Sequence, residues 1–255
     1  MSVVLYQMAH SPYAIPIRQA LTACGVVHET RDVQNWDRGE VIRLTEGSYY
    51  QIPLLVHEDR VVFETGGNSL DVARYVDATW AGGCLFPEEL AAPNLCLTEW
   101  IEDALEGCTR RMHSKDALEG CTRRMHSKDA LEGCTFKLAD IHYVPAIDDI
   151  VDRTMVVRHK ERKFGRGCIE QWAREADIIR SELDGLLSRC ESTLKNSPFL
   201  LGTSPVYADF ALFGVLGNLT YNGWNHLSAD QIALQKFVAR LSVWRCYAPP
   251  ESERL

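Results

Sequence analysis

The sequence predicts an α/β unit of βαβαββα order followed by an all-α helical bundle. Three observations carry this reading. Short β-branched runs alternate with helical patterns up to about residue 80, a Gly-containing stretch from Ala78 to Pro87 (ATWAGGCLFP) interrupts them, and beyond it amphipathic helices replace strands.

The elements follow in order. Val3 to Met8 is an apolar strand, and Pro12 to Ala23 carries Ile15, Ile17 and Leu21 near helical spacing before a stop at Gly25. His28 to Val33 reads as a strand and Asp37 to Leu44 as a helix. Pro53 to Val56 and Val61 to Glu64 are further strands, and Ser69 to Val76 is a helix. This order is that of a thioredoxin-like unit. Later, Ile169 to Leu194, Tyr207 to Leu219 and Ala229 to Trp244 read as helices. The expected division is a unit over 1–80, a linker over 81–87 and a helical domain over 88–255.

Composition narrows the function. A chain of 255 residues with 46% hydrophobic content can bury a sizeable core, and a net charge of −8 argues against a nucleic-acid binder. No apolar run approaches membrane-spanning length and no secretory leader pattern opens the chain, so cytoplasmic residence without membrane attachment is expected. Nine cysteines at irregular spacing read as reduced thiols rather than a disulfide framework.

Three signals in the first 70 positions carry the chemistry. Ser11 stands at an N-cap with Pro12 in the first helical place, beside unpaired amides and the positive end of the helix dipole, a setting suited to an anion such as a thiolate. Ile52-Pro53 opens a strand; X-Pro bonds are the usual home of cis peptides, and a cis bond there would turn the Ile52 backbone toward an extended peptide ligand. Asn68-Ser69 precedes a helix whose N-terminus suits a carboxylate.

In this combination the chain resembles the glutathione transferase superfamily. The matched pieces are Ser11-Pro12-Tyr13 with Arg18, Ile52-Pro53-Leu54, Asn68-Ser69 with Val72 and Tyr75, and Phe199-Leu200-Leu201-Gly202 leading to Ala208-Asp209-Phe210. The resemblance is to the serine-type members, similar to tau, omega-like and bacterial ones. It implies that Ser11 hydrogen-bonds the glutathione sulfur, that Ile52 and Pro53 hold the cysteinyl backbone, and that Asn68 and Ser69 take the γ-glutamyl end. Asn68 stands where the family usually has an acid or Gln. An alternative alignment puts the pair on Glu64-Thr65, and Glu64 is expected as a supporting carboxylate. The resemblance further implies glutathione as co-substrate, a small electrophilic, apolar acceptor, a homodimer, and alkyl or aryl transfer. Isomerase, ether-cleaving or dehalogenase chemistry and a noncatalytic binding module are the alternatives.

Other residues are weighed beside Ser11. Tyr6 lies within the apolar strand and reads as a core residue with a tethered hydroxyl. His10 and Tyr13 are candidates for the acceptor site, as is Arg166 at the end of the basic run Arg158 to Arg166, and Trp172, Tyr221 and Trp224 for its lining. Asp209 is expected to cap its helix with half of the reciprocal pair lost, because Val206 replaces the usual Ser or Thr.

Asp103 to Lys115 (DALEGCTRRMHSK) recurs unchanged at Asp116 to Lys128, and its first seven residues recur at Asp129 to Thr135. The repeat, spanning 103–135, reads as an insertion or artefact. Thirteen residues make about 3.6 helical turns, so successive copies would face different directions. Its Cys and His offsets do not suit a metal, and none is expected.

Overall fold

The computed structural model describes residues 2–65, 70–102 and 131–246. Asn68, Ser69 and nearly all of the tandem repeat lie outside the described residues.

Four strands form one mixed sheet in the order β2-β1-β3-β4, with β1 Val3–Gln7, β2 Glu29–Asp32, β3 Leu54–His57 and β4 Arg60–Val62. β2 runs parallel to β1, whereas β3 is antiparallel to β1 and β4 to β3, with Tyr6 opposite Leu54 and Leu55 opposite Val62. The period-2 alternation sorts side chains to two faces. Leu5, Leu55 and Val62 join the main core with α1 (Ala14–Ala23) and α3 (Asp71–Val76), while Tyr6, Val33 and Leu54 pack around Val41 of α2 (Gly39–Leu44). β2 is solvated along its length, and there Arg31 pairs with Glu29 at 2.8 Å and Glu40 at 3.1 Å.

The stretch read as a linker is helical at its start. α3 runs on into a π-helical turn, Asp77–Ala81, and stops only where Gly82 and Gly83 take φ of 63° and 88°. A left-handed residue ends a helix without steric cost only when it lacks a Cβ.

The helical half comprises α4 Ala91–Glu102, α5 Leu131–Tyr143, α6 Ile150–Phe164, α7 Cys168–Arg174, α8 Ala176–Asn196, α9 Tyr207–Leu219 and α10 Ile232–Val243. The single helix expected over Ile169 to Leu194 is two, parted at Glu175 with φ −97° and ψ 8°. α9 is buried on nearly every side, in keeping with a sequence that is apolar but for Asp209 and Asn218. Its head is fixed by Asp209, whose carboxylate accepts from Leu200 N at 2.8 Å and Val206 N at 3.0 Å. Val206 supplies no side-chain cap, and its main-chain oxygen accepts from Asp209 N at 2.9 Å instead. Asn94 ties α4 to the same region, donating to Leu85 O and accepting from Ala208 N, both at 2.9 Å.

α9 meets α1 at unusually short range. A Cβ on Gly214 would stand 2.3 Å from Pro12 O and 2.5 Å from Pro16 Cγ, and one on Gly217 would stand 3.1 Å from Ile15 Cδ1. One turn on, Asn218 Nδ2 donates to His10 O at 2.7 Å. The helical half thus holds the turn between β1 and α1 from beneath.

Gly214→Ala is expected to lower stability by about 2 kcal/mol through overpacking, as measured by urea unfolding. Gly185→Ala, where a Cβ meets nothing within 4 Å, should be neutral or slightly stabilising in the same assay. Asp209→Ala should cost about 3 kcal/mol, since it orphans one buried and one part-buried amide.

Candidate functional site

The topology brings several chain ends together. β1 ends at Gln7, β3 begins at Leu54 opposite Tyr6, and β4 ends at Val62 opposite Leu55. The Ser11 turn, the Ile52-Pro53 segment and Glu64 therefore leave the sheet at one end.

Ser11 closes a tight turn after β1, its N–H donating to Met8 O at 2.9 Å. Its carbonyl accepts from Ile15 N at 3.0 Å, the first α-type bond of the helix, and its Oγ accepts from Tyr13 N at 3.3 Å and Ala14 N at 3.4 Å. Ser11 is thus the N-cap, with Pro12 at the first helical position. Both bonds to Oγ are long and use it as acceptor, and the hydroxyl has no hydrogen-bond acceptor among the described residues. The residue is 5% exposed.

The turn is braced from within the sheet. Arg18 Nη1 donates to Gln7 Oε1 at 2.5 Å and its Nη2 to Ala9 O at 3.3 Å, while Gln7 Nε2 donates to Asp32 Oδ1 at 3.1 Å. The Tyr6 hydroxyl is committed elsewhere, donating to Glu40 at 2.9 Å and accepting from Arg31 at 3.0 Å. Burial, reinforced by Glu40, raises its pKa.

The Ile52-Pro53 peptide is cis, with Pro53 buried and Ile52 half-buried. Glu64 Oε2 accepts from Asp71 N at 3.0 Å, and the Asp71 carboxylate accepts from both the amide and the hydroxyl of Thr65 at 2.7 Å. Those two carboxylates fasten the end of β4 to the head of α3.

An aromatic wall rises beside the Ser11 turn. The half-buried His10 ring lies 4.4 Å from Tyr143, 5.5 Å from Tyr221 and 6.0 Å from Trp224, centroid to centroid. Burial, helped by the Lys160 ammonium, pushes the His10 imidazole down to about 4, so it is neutral at physiological pH. Asn35 Nδ2 donates to the Tyr143 hydroxyl at 3.2 Å, and Arg38 Nη2 donates to Asn35 Oδ1 at 3.1 Å. Arg38 Nη1 is buried with no hydrogen-bond partner among the described residues. Behind the wall, Lys160 Nζ pairs with Asp140 Oδ2 at 2.7 Å and lies 3.7 Å from the Phe136 ring centroid. Burial pushes both charges of that pair toward neutrality, and their mutual attraction opposes it.

Several expected residues therefore gather and others do not. Ser11, His10, Tyr221 and Trp224 share one neighbourhood, and Tyr13 is half-buried in the same turn. Trp172 does not line it, being 5% exposed and packed edge-on against Phe136 and Phe164. Arg166 is exposed, in a shallow pocket with Met155, Arg158, Glu161 and Arg162 that includes none of the residues around Ser11. The member of that run that turns inward is Lys160. Arg38, Asn35, Tyr143 and Asn218 carry no local signature and emerge only from tertiary placement. Among the described residues no group of three or more His, Cys, Asp or Glu side chains is placed to hold a metal ion, and no helix is long and apolar enough to cross a membrane.

Comparison with known proteins agrees with this architecture. Residues 161–243 match the family model of the glutathione S-transferase C-terminal domain. Glutathione S-transferase U28 of Arabidopsis thaliana is 29% identical over 84 residues, which take in 33% of this chain and 36% of that relative's own length. Among solved structures, glutathione transferase GSTFuA3 of Phanerochaete chrysosporium superposes with a TM-score of 0.69 at 15% identity, covering 98% of this chain and 99% of that one. Glutaredoxin 2 of Salmonella typhimurium, solved in complex with glutathione, gives 0.66 at 18% identity, covering 96% of each chain. The tau-class transferase of mango, Mangifera indica, gives 0.56 at 16% identity, covering 95% and 89%. The C-terminal part of the chain is thus similar in sequence to the glutathione S-transferase C-terminal domain, and the chain as a whole shares the two-part fold of these structures.

Proposed function

We propose that the chain is a glutathione transferase in which Ser11 keeps the glutathione sulfur ionised for attack on a small, apolar electrophile. The observation that carries this reading is the state of the Ser11 hydroxyl. Its oxygen caps α1 while its proton has no acceptor among the described residues, at the sheet end shared with the cis-proline segment. A donor there, with the amides of the first helical turn, stabilises a thiolate more than a thiol and so lowers its pKa from about 8.5.

The remaining contacts rest partly on this geometry and partly on the family resemblance. The Ile52 main chain stands beyond the β1–β3 ladder, where it can pair with the cysteinyl backbone, with Pro53 fixing its direction. Asn68 and Ser69 take the γ-glutamyl end by family resemblance, and Glu64 supports that end through α3. Arg38, with a buried and unmatched Nη1, suits a ligand carboxylate. His10, Tyr13, Tyr143, Tyr221 and Trp224 offer the acceptor flat, mostly apolar surfaces, and Arg166 is proposed as a further acceptor-site residue on the sequence alone. In the reaction the sulfur lone pair forms the new S–C bond and the leaving group departs with its bonding electrons. The neutral His10 ring is not an acid at pH 7 and serves as a wall. Cytoplasmic residence and a homodimer complete the proposal on the strength of the family.

Ser11→Ala is expected to reduce the thiolate absorbance of bound glutathione at neutral pH about tenfold, with a fall in kcat/KM of about 10- to 100-fold. Unchanged absorbance and turnover would sink the assignment. His10 supplies a second test through stability. Its folded pKa lies below the unfolded 6.5, so its contribution is complete above pH 6.5 and is lost as pH falls toward 4. The stability difference between wild type and His10→Asn should therefore shrink across that window, as followed by denaturant unfolding at each pH.

A further inference from the structure

Three cysteines meet where the sheet half, the segment before α4 and the C-terminal segment converge. Cys84 Sγ lies 2.8 Å from Cys246 Sγ, and Cys24 interacts with both. The two backbones are held independently of the sulfurs. Cys246 N donates to Ala23 O at 2.8 Å and Cys84 N to Ala81 O at 3.3 Å. Gln19 Nε2 secures the end of α10 to α1 by donating to Leu241 O at 2.7 Å. A disulfide bond is about 2.05 Å long, so less than about 1 Å of sulfur movement separates this pair from bonding. Both side chains are partly exposed, whereas Cys134, Cys168 and Cys190 are buried and Cys96 stands apart at the surface.

We infer that Cys84 and Cys246 form a reversible disulfide that staples the segment after α10 to the segment following α3. The oxidant is a low-molecular-weight disulfide such as oxidised glutathione. One cysteine loses its proton and its thiolate attacks a sulfur of that disulfide, releasing one thiolate that takes up the proton. The second cysteine then attacks the protein sulfur of the mixed disulfide, and its proton goes to the second leaving thiolate. Two protein thiols are oxidised, one small disulfide is reduced, and two small thiols are produced. Burial holds the Cys24 thiol up at about 12 and also raises that of Cys84.

The link would join residues 162 positions apart, and constraint of so long a loop should be visible in thermal unfolding. The test treats the reduced full chain with oxidised glutathione and maps non-reduced peptides after alkylation. The expected result is a Cys84–Cys246 cross-linked peptide with the loss of two hydrogens, a Tm higher by about 5 °C, and reversal of both by dithiothreitol. Cys84→Ser and Cys246→Ser should each abolish the cross-link and the Tm rise, while Cys24→Ser should keep them. Ser11→Ala should oxidise like wild type, which separates this inference from the catalytic reading. Alkylation of both thiols after treatment, a Cys24–Cys246 peptide, or a persistent glutathione adduct on Cys246 would each overturn it. Should a serine variant fail to fold, the wild-type peptide map decides alone.

Discussion

The meeting of α9 with the head of α1 is the constraint on which the rest of the structure depends. A glycine at 214 lets the helix backbone come so near that even a methyl group would strike Pro12 O. Asn218 then takes the carbonyl of His10, and Arg18 holds Ala9 from the sheet side. Ala9, His10 and Pro12 of the turn are thereby fixed by groups from two halves of the chain. A serine in an unbraced loop would cap a helix equally well, but its hydroxyl would not be held in one place.

That bracing also explains the electrostatics of the cleft. The chain as a whole is acidic, yet Arg18, Arg38 and Lys160 cluster around one strand end. Each is committed in part to a neutral or paired acceptor, so the cations are desolvated but anchored. The neutrality of His10 follows from the same arrangement, since an imidazolium there would lose hydration and face an ammonium.

Much of the fold was legible because alternation and helical spacing are local properties. Leu5 and Leu55 fall on one face and Tyr6 and Leu54 on the other, as a period of two requires. The break at Glu175 was not legible, because Ala173-Arg174-Glu175-Ala176 contains only good helix formers and the apolar spacing continues across it. Ser11 and Ile52-Pro53 stood out because a cap and an X-Pro bond have local chemical meaning. Lys160 did not, since a lysine within Arg158 to Lys163 looks like a solvated surface. Only packing α5 beside α6 brings Asp140 to meet it. Trp172 misled for the converse reason: its size marks it for burial but not for which cavity or core.

The outer strand β2 has a consequence of its own. It offers its neighbours an unpaired backbone edge, but every residue on it is solvated, and the guanidinium of Arg31 with two glutamates crowds the approach. A second chain could not extend the sheet there without stripping water from those charges. At the opposite margin β4 is only three residues long. Self-association through continuous β-structure is thus discouraged at both margins, leaving helical surfaces as the natural ground for any pairing of copies.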